Sequence, residues 1–392
     1  MRGILNIKIL ILCYEYPPIG GGGAKVVHGL ITELNKKNCE IDMVTMGFKN
    51  LPEFERIGNV NIYRVRCIRL KKNLCTFPEM FLYILSAFPL IFKLTRKHDY
   101  QINHTHFIFP DGILAFAVKM LRKIPYIITA HGSDVPGYNP DRFKLIHKFL
   151  VPLWKLITSN AEKIVLPSKN LEALAKKINP KLKTSVIPNG IELNKFSSNV
   201  MKKKQILIVT RMFKRKGVQY FLEAVKGLEK DYDINIVGDG PYLEILKGIS
   251  RINNLKINFQ GYLDNLSDQL KKLYEESEIF VFTSESENFP VVLLEAMLSG
   301  MAIITTNDTG CAEVVGNAAI LIESKNPKAI KESLLKLMDS DKLVRKLQFD
   351  ARKRVEEIFG WENVAQKYLE LYFKIISPSN QFSYSELYIN QN

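Results

Sequence analysis

Five cysteines among 392 residues are too few and too scattered to build a covalent framework. Cys13, Cys39, Cys67, Cys75 and Cys311 form no CxxC pair and no zinc-ligand spacing. A disulfide scaffold is excluded, and a reduced, cytoplasmic interior is the expectation. Long hydrophobic runs are missing too. The longest uncharged apolar stretch lies between Glu79 and Lys93 and contains Pro89. It falls short of the roughly 20 residues a bilayer span needs, so a buried or interfacial helix is expected there. The first apolar run, Ile4 to Cys13, is broken by Lys8 and leads into Tyr14-Glu15-Tyr16-Pro17-Pro18. No small-residue cleavage site follows, so it is taken as a strand and not as a targeting segment.

Acidic residues are scarce in the first half alone. Residues 1–190 hold 28 Lys/Arg against 13 Asp/Glu, whereas residues 191–392 hold 27 of each, so the whole net charge of +15 sits in the first half. Such asymmetry suggests that the halves face different partners. Nucleic acid is not among them, because basic-aromatic interleaving and a recognition helix are both absent.

What is present is alternation. Short β-branched runs interleave with longer amphipathic ones, the pattern of parallel sheets flanked by helices. In the first half strands are expected at 8–13, 41–46, 62–66, 101–105, 126–129, 163–166 and 185–187, with helices such as 26–37 and 112–122 between them. Residues 196–204 are rich in Ser, Asn and Lys and are expected to be a linker. The alternation then restarts, with strands at 205–210, 234–237, 257–260, 279–282, 302–305 and 319–322. Helices are expected at 217–228, 266–275 and 291–299. A last helix is expected over 363–376, followed by a polar, loose tail at 377–392. Two α/β domains are implied, 1–195 and 205–362, with the last helix able to pack back on the first. Their ligands belong at strand C-termini.

Four constellations stand at such ends. Ser284-Glu285-Ser286-Glu287-Asn288-Phe289-Pro290 precedes a helix that opens at Val291 and stops before Gly300. The free amides of Val291 and Val292 and the positive helix end suit a phosphate, while Glu295 leans back to accept ribose hydroxyls. Two solvated glutamates beside a core helix fit the same spacing. Arg211 to Gly217 puts four cations at a strand end, suited to a diphosphate, or simply to a solvated basic turn. Gly20 to Gly23 permits close backbone approach to a ligand, or is a flexible turn. The dinucleotide reading fails, because these glycines come several residues after the strand and no acidic residue ends the second strand. Thr129 to Asp134, with His131, and His104-Thr105-His106 end two further strands. His104 and His106 are taken to alternate across their strand and so not to share a metal. Asp231-Tyr232-Asp233 precedes its strand and is taken as a turn.

Together these elements resemble glycosyltransferase family 4, the retaining enzymes of the GT-B fold, over nearly the whole chain and in order. The resemblance runs through Gly20–Gly23, Ala130–Asp134, Val186–Ile191, Arg211–Gly217 and Gly238–Pro241. It closes on Glu287 and Glu295 in the family's Glu-x7-Glu spacing, extended by Ala296-Met297. It implies two doubly wound, Rossmann-like domains facing across a cleft, and transfer of a sugar from a nucleotide-diphosphate sugar, with UDP or GDP as the nucleotide. Arg211 and Lys216 would bind the donor diphosphate and stabilise the leaving nucleotide. Glu287 and His131 would meet the transferred sugar, Glu295 would hold the ribose, and Gly21 and Gly22 would close over the diphosphate. Gly261, Tyr262 and Leu263 would lie near the base, and His106 and Asp134 on the acceptor side. No cofactor and no metal are implied. Where the family often has Gly-Phe-Gly, this chain has Asn288-Phe289-Pro290, which leaves the sugar's identity open. Other occupations of the fold are a nucleotide-sugar epimerase, a sugar phosphorylase and a two-domain ligand-binding protein. The excess of positive charge in the acceptor half suggests an anionic membrane or a lipid-linked acceptor, with the enzyme peripheral at the inner face of the membrane.

Overall fold

The computed structural model describes residues 7–138, 144–197, 200–228 and 231–377, with side chains of 144–149 excluded; the expected loose tail lies outside them, apart from residue 377. The chain divides into two compact units, Met1–Gly190 with Trp361–Asn392, and Ile191–Gly360.

Unit 1 carries β1 (Lys8–Leu12), α1 (Gly22–Lys36), β2 (Glu40–Met46), β3 (Phe54–Ile57), β4 (Val60–Val65) and α2 (Phe77–Lys97). It continues with β5 (Ile102–His106), α3 (Asp111–Arg122), β6 (Tyr126–Thr129), α4 (Lys144–Asn160), β7 (Lys163–Leu166), α5 (Lys169–Ile178) and β8 (Thr184–Val186). The strands form one sheet in the order β3-β4-β2-β1-β5-β6-β7-β8. All neighbours are parallel except β3 and β4, an antiparallel edge pair. β3 was not expected. Its Phe54-Glu55-Arg56-Ile57 is mostly exposed and lacks the apolar run that marks the other strands.

Unit 2 carries β9 (Lys203–Val209), α6 (Val218–Ala224), β10 (Asp233–Val237), α7 (Leu243–Ile252), β11 (Ile257–Gly261), α8 (Asp268–Glu276) and β12 (Ser277–Phe282). It ends with α9 (Val291–Leu298), β13 (Ala302–Thr306), α10 (Cys311–Val315), β14 (Ile320–Ile322), α11 (Pro327–Met338) and α12 (Asp341–Phe359). Its sheet runs β11-β10-β9-β12-β13-β14, all parallel. Side chains alternate between its two faces. Ile206, Ile208, Ile279 and Val281 join one apolar cluster, and Leu207, Phe280 and Phe282 join another. That double burial is why the runs Ile206–Val209 and Ile279–Phe282 are apolar at successive positions.

α13 (Trp361–Ile376) returns the chain to unit 1, where Trp361, Tyr368 and Tyr372 enter the core. Two glycines make room for it. A Cβ on Gly29 would lie 2.2 Å from the Trp361 indole, and one on Gly190 would lie 2.4 Å from it. Residues 196–204, expected to be a linker, are part of unit 2 where described. Phe196 is buried against the Tyr274 ring at 5.1 Å, and β9 begins at Lys203. Polar composition around one apolar anchor hid that packing.

Each sheet reverses its winding once, beside β1 and β5 in unit 1 and beside β9 and β12 in unit 2. The carboxyl ends of strands at such reversals are where doubly wound sheets bind ligands.

Candidate functional site

In unit 2 the basic turn follows β9 as a 3-10 turn, Lys214–Lys216. It is stitched to the loop after β12 by Glu285 N donating to Arg215 O (2.8 Å) and Thr283 Oγ1 donating to Lys216 O (3.4 Å). The approach needs Gly217. Its φ is +72°, and a Cβ there would lie 2.0 Å from Thr283 O. The stitching brings Lys216 onto Glu287 as a largely buried ion pair, Nζ to Oε1. Arg211 is exposed at the strand end, with no side-chain partner among the described residues. Glu287 O accepts from Gly310 N at 3.0 Å, which fixes the loop before α9. Pro290 stands just before that helix, so the Val291 and Val292 amides have no partner within it.

Glu295 is one turn further in and buried. Its Oε1 accepts from Lys195 Nζ and its Oε2 from Tyr274 Oη at 3.0 Å. The sequence expectation named the carboxylate and missed both donors. Lys195 is 100 residues away in sequence, in the segment read as approaching a linker, so no local signal pointed to it. Gly261 ends β11 with φ +66° and accepts from Gly238 N at 2.7 Å. Tyr262 next to it is 68% exposed, a ring free to stack, and Leu263 is half-buried. Asp231 and Asp233 stand at the start of β10, the end opposite this constellation.

In unit 1 the corresponding edge is neutral. His131 Nε2 and His106 Nδ1 are 3.2 Å apart, and His106 Nε2 is buried without a partner among the described residues. His104 and His106 were expected on opposite faces of β5. Their rings lie 4.3 Å apart, because residues two apart share a face. Both His104 nitrogens are engaged, by Tyr372 Oη at 2.6 Å and Thr129 Oγ1 at 2.8 Å. Among the described residues no cluster of three His, Cys, Asp or Glu is placed to hold a metal. Burial keeps the imidazoles uncharged, lowering His104 and His131 to about 3 and His106 well below its ordinary value.

Asp134, expected on the acceptor side, spends its carboxylate on the backbone. Oδ1 accepts from His131 N and Oδ2 from Ile108 N, each at 2.9 Å. It braces the His131 turn against the loop after β5. Burial raises its pKa, and the amide bonds oppose that rise. Gly21 and Gly22 face open space, and the glycine run proves to be the opening turn of α1. Behind it lies a pair that the sequence did not reveal. Glu15 Oε1 accepts from the buried Arg69 Nη2 at 2.9 Å, and Glu15 Oε2 accepts from Gly21 N at 3.4 Å. Arg69 also donates to the carbonyls of Lys71 and Lys72, and Gly20 N donates to Lys72 O. Only the position of Glu15 after a central strand could have marked it.

Comparison with known proteins finds glycosyltransferases over nearly the whole chain. The family model "Glycosyltransferase Family 4" matches residues 20–195, and "Glycosyl transferases group 1" matches residues 190–354. An uncharacterized glycosyltransferase of Methanocaldococcus jannaschii is 27% identical, covering 93% of this chain and 98% of the relative. N-acetyl-alpha-D-glucosaminyl L-malate synthase of Bacillus anthracis is 26% identical, covering 95% and 98%. An Escherichia coli UDP-Gal:alpha-D-GlcNAc-diphosphoundecaprenol alpha-1,3-galactosyltransferase is 28% identical, covering 73% and 78%. Among solved structures, sucrose-phosphate synthase of Thermosynechococcus elongatus superposes with a TM-score of 0.79 at 20% identity, covering 95% and 100%. Anabaena HepE, crystallised with UDP-glucose, does so with 0.69 at 15%, covering 93% and 99%. These likenesses establish the GT-B fold.

Proposed function

The chain belongs to the family-4 glycosyltransferases, and we propose that it transfers a sugar, with retention of anomeric configuration, from a UDP- or GDP-sugar to a lipid-linked acceptor. The observation that carries the donor half of this reading is the Lys216–Glu287 pair beside the exposed Arg211 and the free amides of α9. A nucleotide diphosphate brings negative charge, which a lysine, an exposed arginine at the end of β9 and a helix N-terminus are suited to receive. As the glycosidic bond breaks, that charge grows on the diphosphate. Arg211 and Lys216 then stabilise the leaving group and need no divalent ion. The diphosphate draws Lys216 toward it, and Glu287, relieved of its partner, turns to the sugar hydroxyls. Glu295 takes the ribose, its orientation set by Lys195 and Tyr274. Tyr262 supplies the face on which the base stacks. His131, neutral at physiological pH, hydrogen-bonds the transferred sugar without adding charge to the reacting centre.

The acceptor half rests on α2 and on relatives. Only 28% of its most apolar stretch is buried, and Lys93, Arg96 and Lys97 are exposed at its end. The Escherichia coli relative is named for a diphosphoundecaprenol acceptor. A cytoplasmic enzyme docked at the inner membrane face fits both.

The test is incubation with a panel of UDP-, GDP- and ADP-sugars in excess EDTA, with product anomers assigned by NMR. Turnover of one UDP- or GDP-sugar with retained configuration is the expected result. Inversion, or activity restored only by Mg²⁺ or Mn²⁺, would overturn the mechanism.

A further inference from the structure

Unit 1 contains a cavity of about 390 Å³, within the size range of ligand sites. Phe77 and Met80 of α2 wall one side, Leu153 and Trp154 of α4 another, and Phe107 and Ile108 from the loop after β5 the base. This lining is overwhelmingly apolar. A sugar placed here would leave most of its hydroxyls without partners, which is unfavourable. A hydrocarbon chain would not.

The cavity adjoins the reacting edge of the unit. Phe107 lines it and also packs its ring 4.4 Å from His131. Asp134 lines it too, and its backbone oxygen accepts from Trp154 Nε1 at 3.1 Å, so the wall and the His131 turn are one braced assembly. Leu74 also lines it and is 44% exposed, so the lining reaches solvent there.

From there an apolar surface continues along α2. Phe81, Leu85 and Phe88 recur at helical spacing and are 58%, 57% and 40% exposed. The opposite side of the helix, with Tyr83, Ala87 and Ile91, is in the core. The helix therefore lies on the unit with one apolar face unpartnered and does not span a membrane by itself. The only carboxylate on α2, Glu79, is buried and accepts from Leu70 N and Thr76 N. Exposed Lys71, Lys72, Lys93, Arg96 and Lys97 rim the face. An apolar stripe flanked by these cations matches the interface of an anionic bilayer.

We propose that this cavity seats the first segment of the hydrocarbon chain of the lipid acceptor, drawn from an anionic bilayer on which α2 lies. The chain enters past Leu74, and its polar head is left beside His131. The inference rests on the lipid-acceptor reading above and adds where the chain is held.

Full-length protein titrated with 12-bromododecyl phosphate reads this directly, since bromine quenches tryptophan only near contact. The chain has two tryptophans, and Trp361, packed on Gly29 and Gly190, is the internal reference. Saturable quenching of the Trp154 emission is expected, and inorganic phosphate alone should give none. Met80→Phe with Leu153→Phe fills the space and should weaken quenching by about tenfold or more. Phe81→Glu with Leu85→Glu should keep the quenching yet abolish flotation with vesicles containing phosphatidylglycerol. Donor titration into the same proteins shows whether the fold and the sugar-donor reading stand. Absent quenching, or quenching unchanged in the filled variant, with donor binding intact, overturns the chain site alone. Loss of quenching in the Phe81/Leu85 variant places the chain on the helix face and also overturns it. Dissociation of a dimer by that variant, without vesicle binding in wild type, makes the face a contact between copies and rejects the lipid. Failure of wild type to bind any nucleotide-sugar is a separate outcome that strikes the function itself.

Discussion

Unit 1 comes from the half of the chain that carries all the net charge, yet the ends of β5 and β6 hold uncharged imidazoles and the end of β1 a closed Glu15–Arg69 pair; unit 2 comes from the balanced half, and its strand ends are charged. At the edge of β5 and β6 stand buried imidazoles held uncharged, an aspartate spent on backbone amides, and an apolar cavity. At the edge of β9 and β12 stand Arg211, Lys216, Glu287 and, deeper, Glu295 with Lys195. The net charge of a region therefore does not locate its ionic ligand. Cations spread over a surface act at long range and are screened by salt, whereas a few partly buried ones at a helix end act on a bound group. Unit 1 spends its charge outward, around α2. Unit 2 spends its charge inward, at the site.

That contrast can be broken by removing charge from each unit in turn. Lys216→Ala strips a charged hydrogen bond from the leaving diphosphate, worth about 1.5–3 kcal/mol, so kcat/KM should fall roughly ten- to hundredfold. Neutralising two cations of unit 1, Lys93→Ala with Lys97→Ala, should leave slow donor hydrolysis at the wild-type rate. Steady-state kinetics decides, and equal losses in both would erase the distinction.

A smaller effect sharpens the unit 1 side. His104 stays neutral in the fold, with a pKa near 3 against an ordinary 6.5. The unfolded chain takes up a proton that the folded unit refuses. The stability gained by keeping His104 neutral is complete above about pH 6.5 and is lost as pH falls toward 3. At pH 5 the loss from this group is about 2 kcal/mol at most. Urea unfolding at pH 7 and pH 5 measures it. His104→Gln should remove about that share of the difference even where it lowers stability at both, and the shares of His106 and His131, held neutral beside it, remain.

Much of this was legible in advance, for a physical reason. Strands buried on both faces are continuously apolar, so twelve of the runs expected as strands have strands at their places, with ends shifted by a residue or two; the same holds for Ser185–Ile187, found as Thr184–Val186. The strand-end motifs were visible because glycines, cations and carboxylates interrupt those apolar runs abruptly. What stayed hidden depends on distant partners. β3 is a strand only because β4 pairs with it, and Phe196 is core only because Tyr274 meets it. Glu15 and Arg69 lie 54 residues apart, and Lys195 and Glu295 lie 100 apart. Asp134 stood out from its place in Ala130–Asp134, but the amides of His131 and Ile108 that its carboxylate braces could not be read from that place. The cavity is likewise assembled from α2, α4 and four loops, none of which announces it alone.

The most direct test of the central claim, that the charges at the strand ends of unit 2 hold the donor, is calorimetric titration of UDP- and GDP-sugars in EDTA. Wild type and the Lys93/Lys97 double variant should bind one of them alike. Glu295→Ala should bind it roughly ten- to hundredfold more weakly, as expected for one lost charged hydrogen bond in a closed site. Undiminished binding by Glu295→Ala, with weakened binding by the Lys93/Lys97 variant, would contradict the account and move the donor to unit 1.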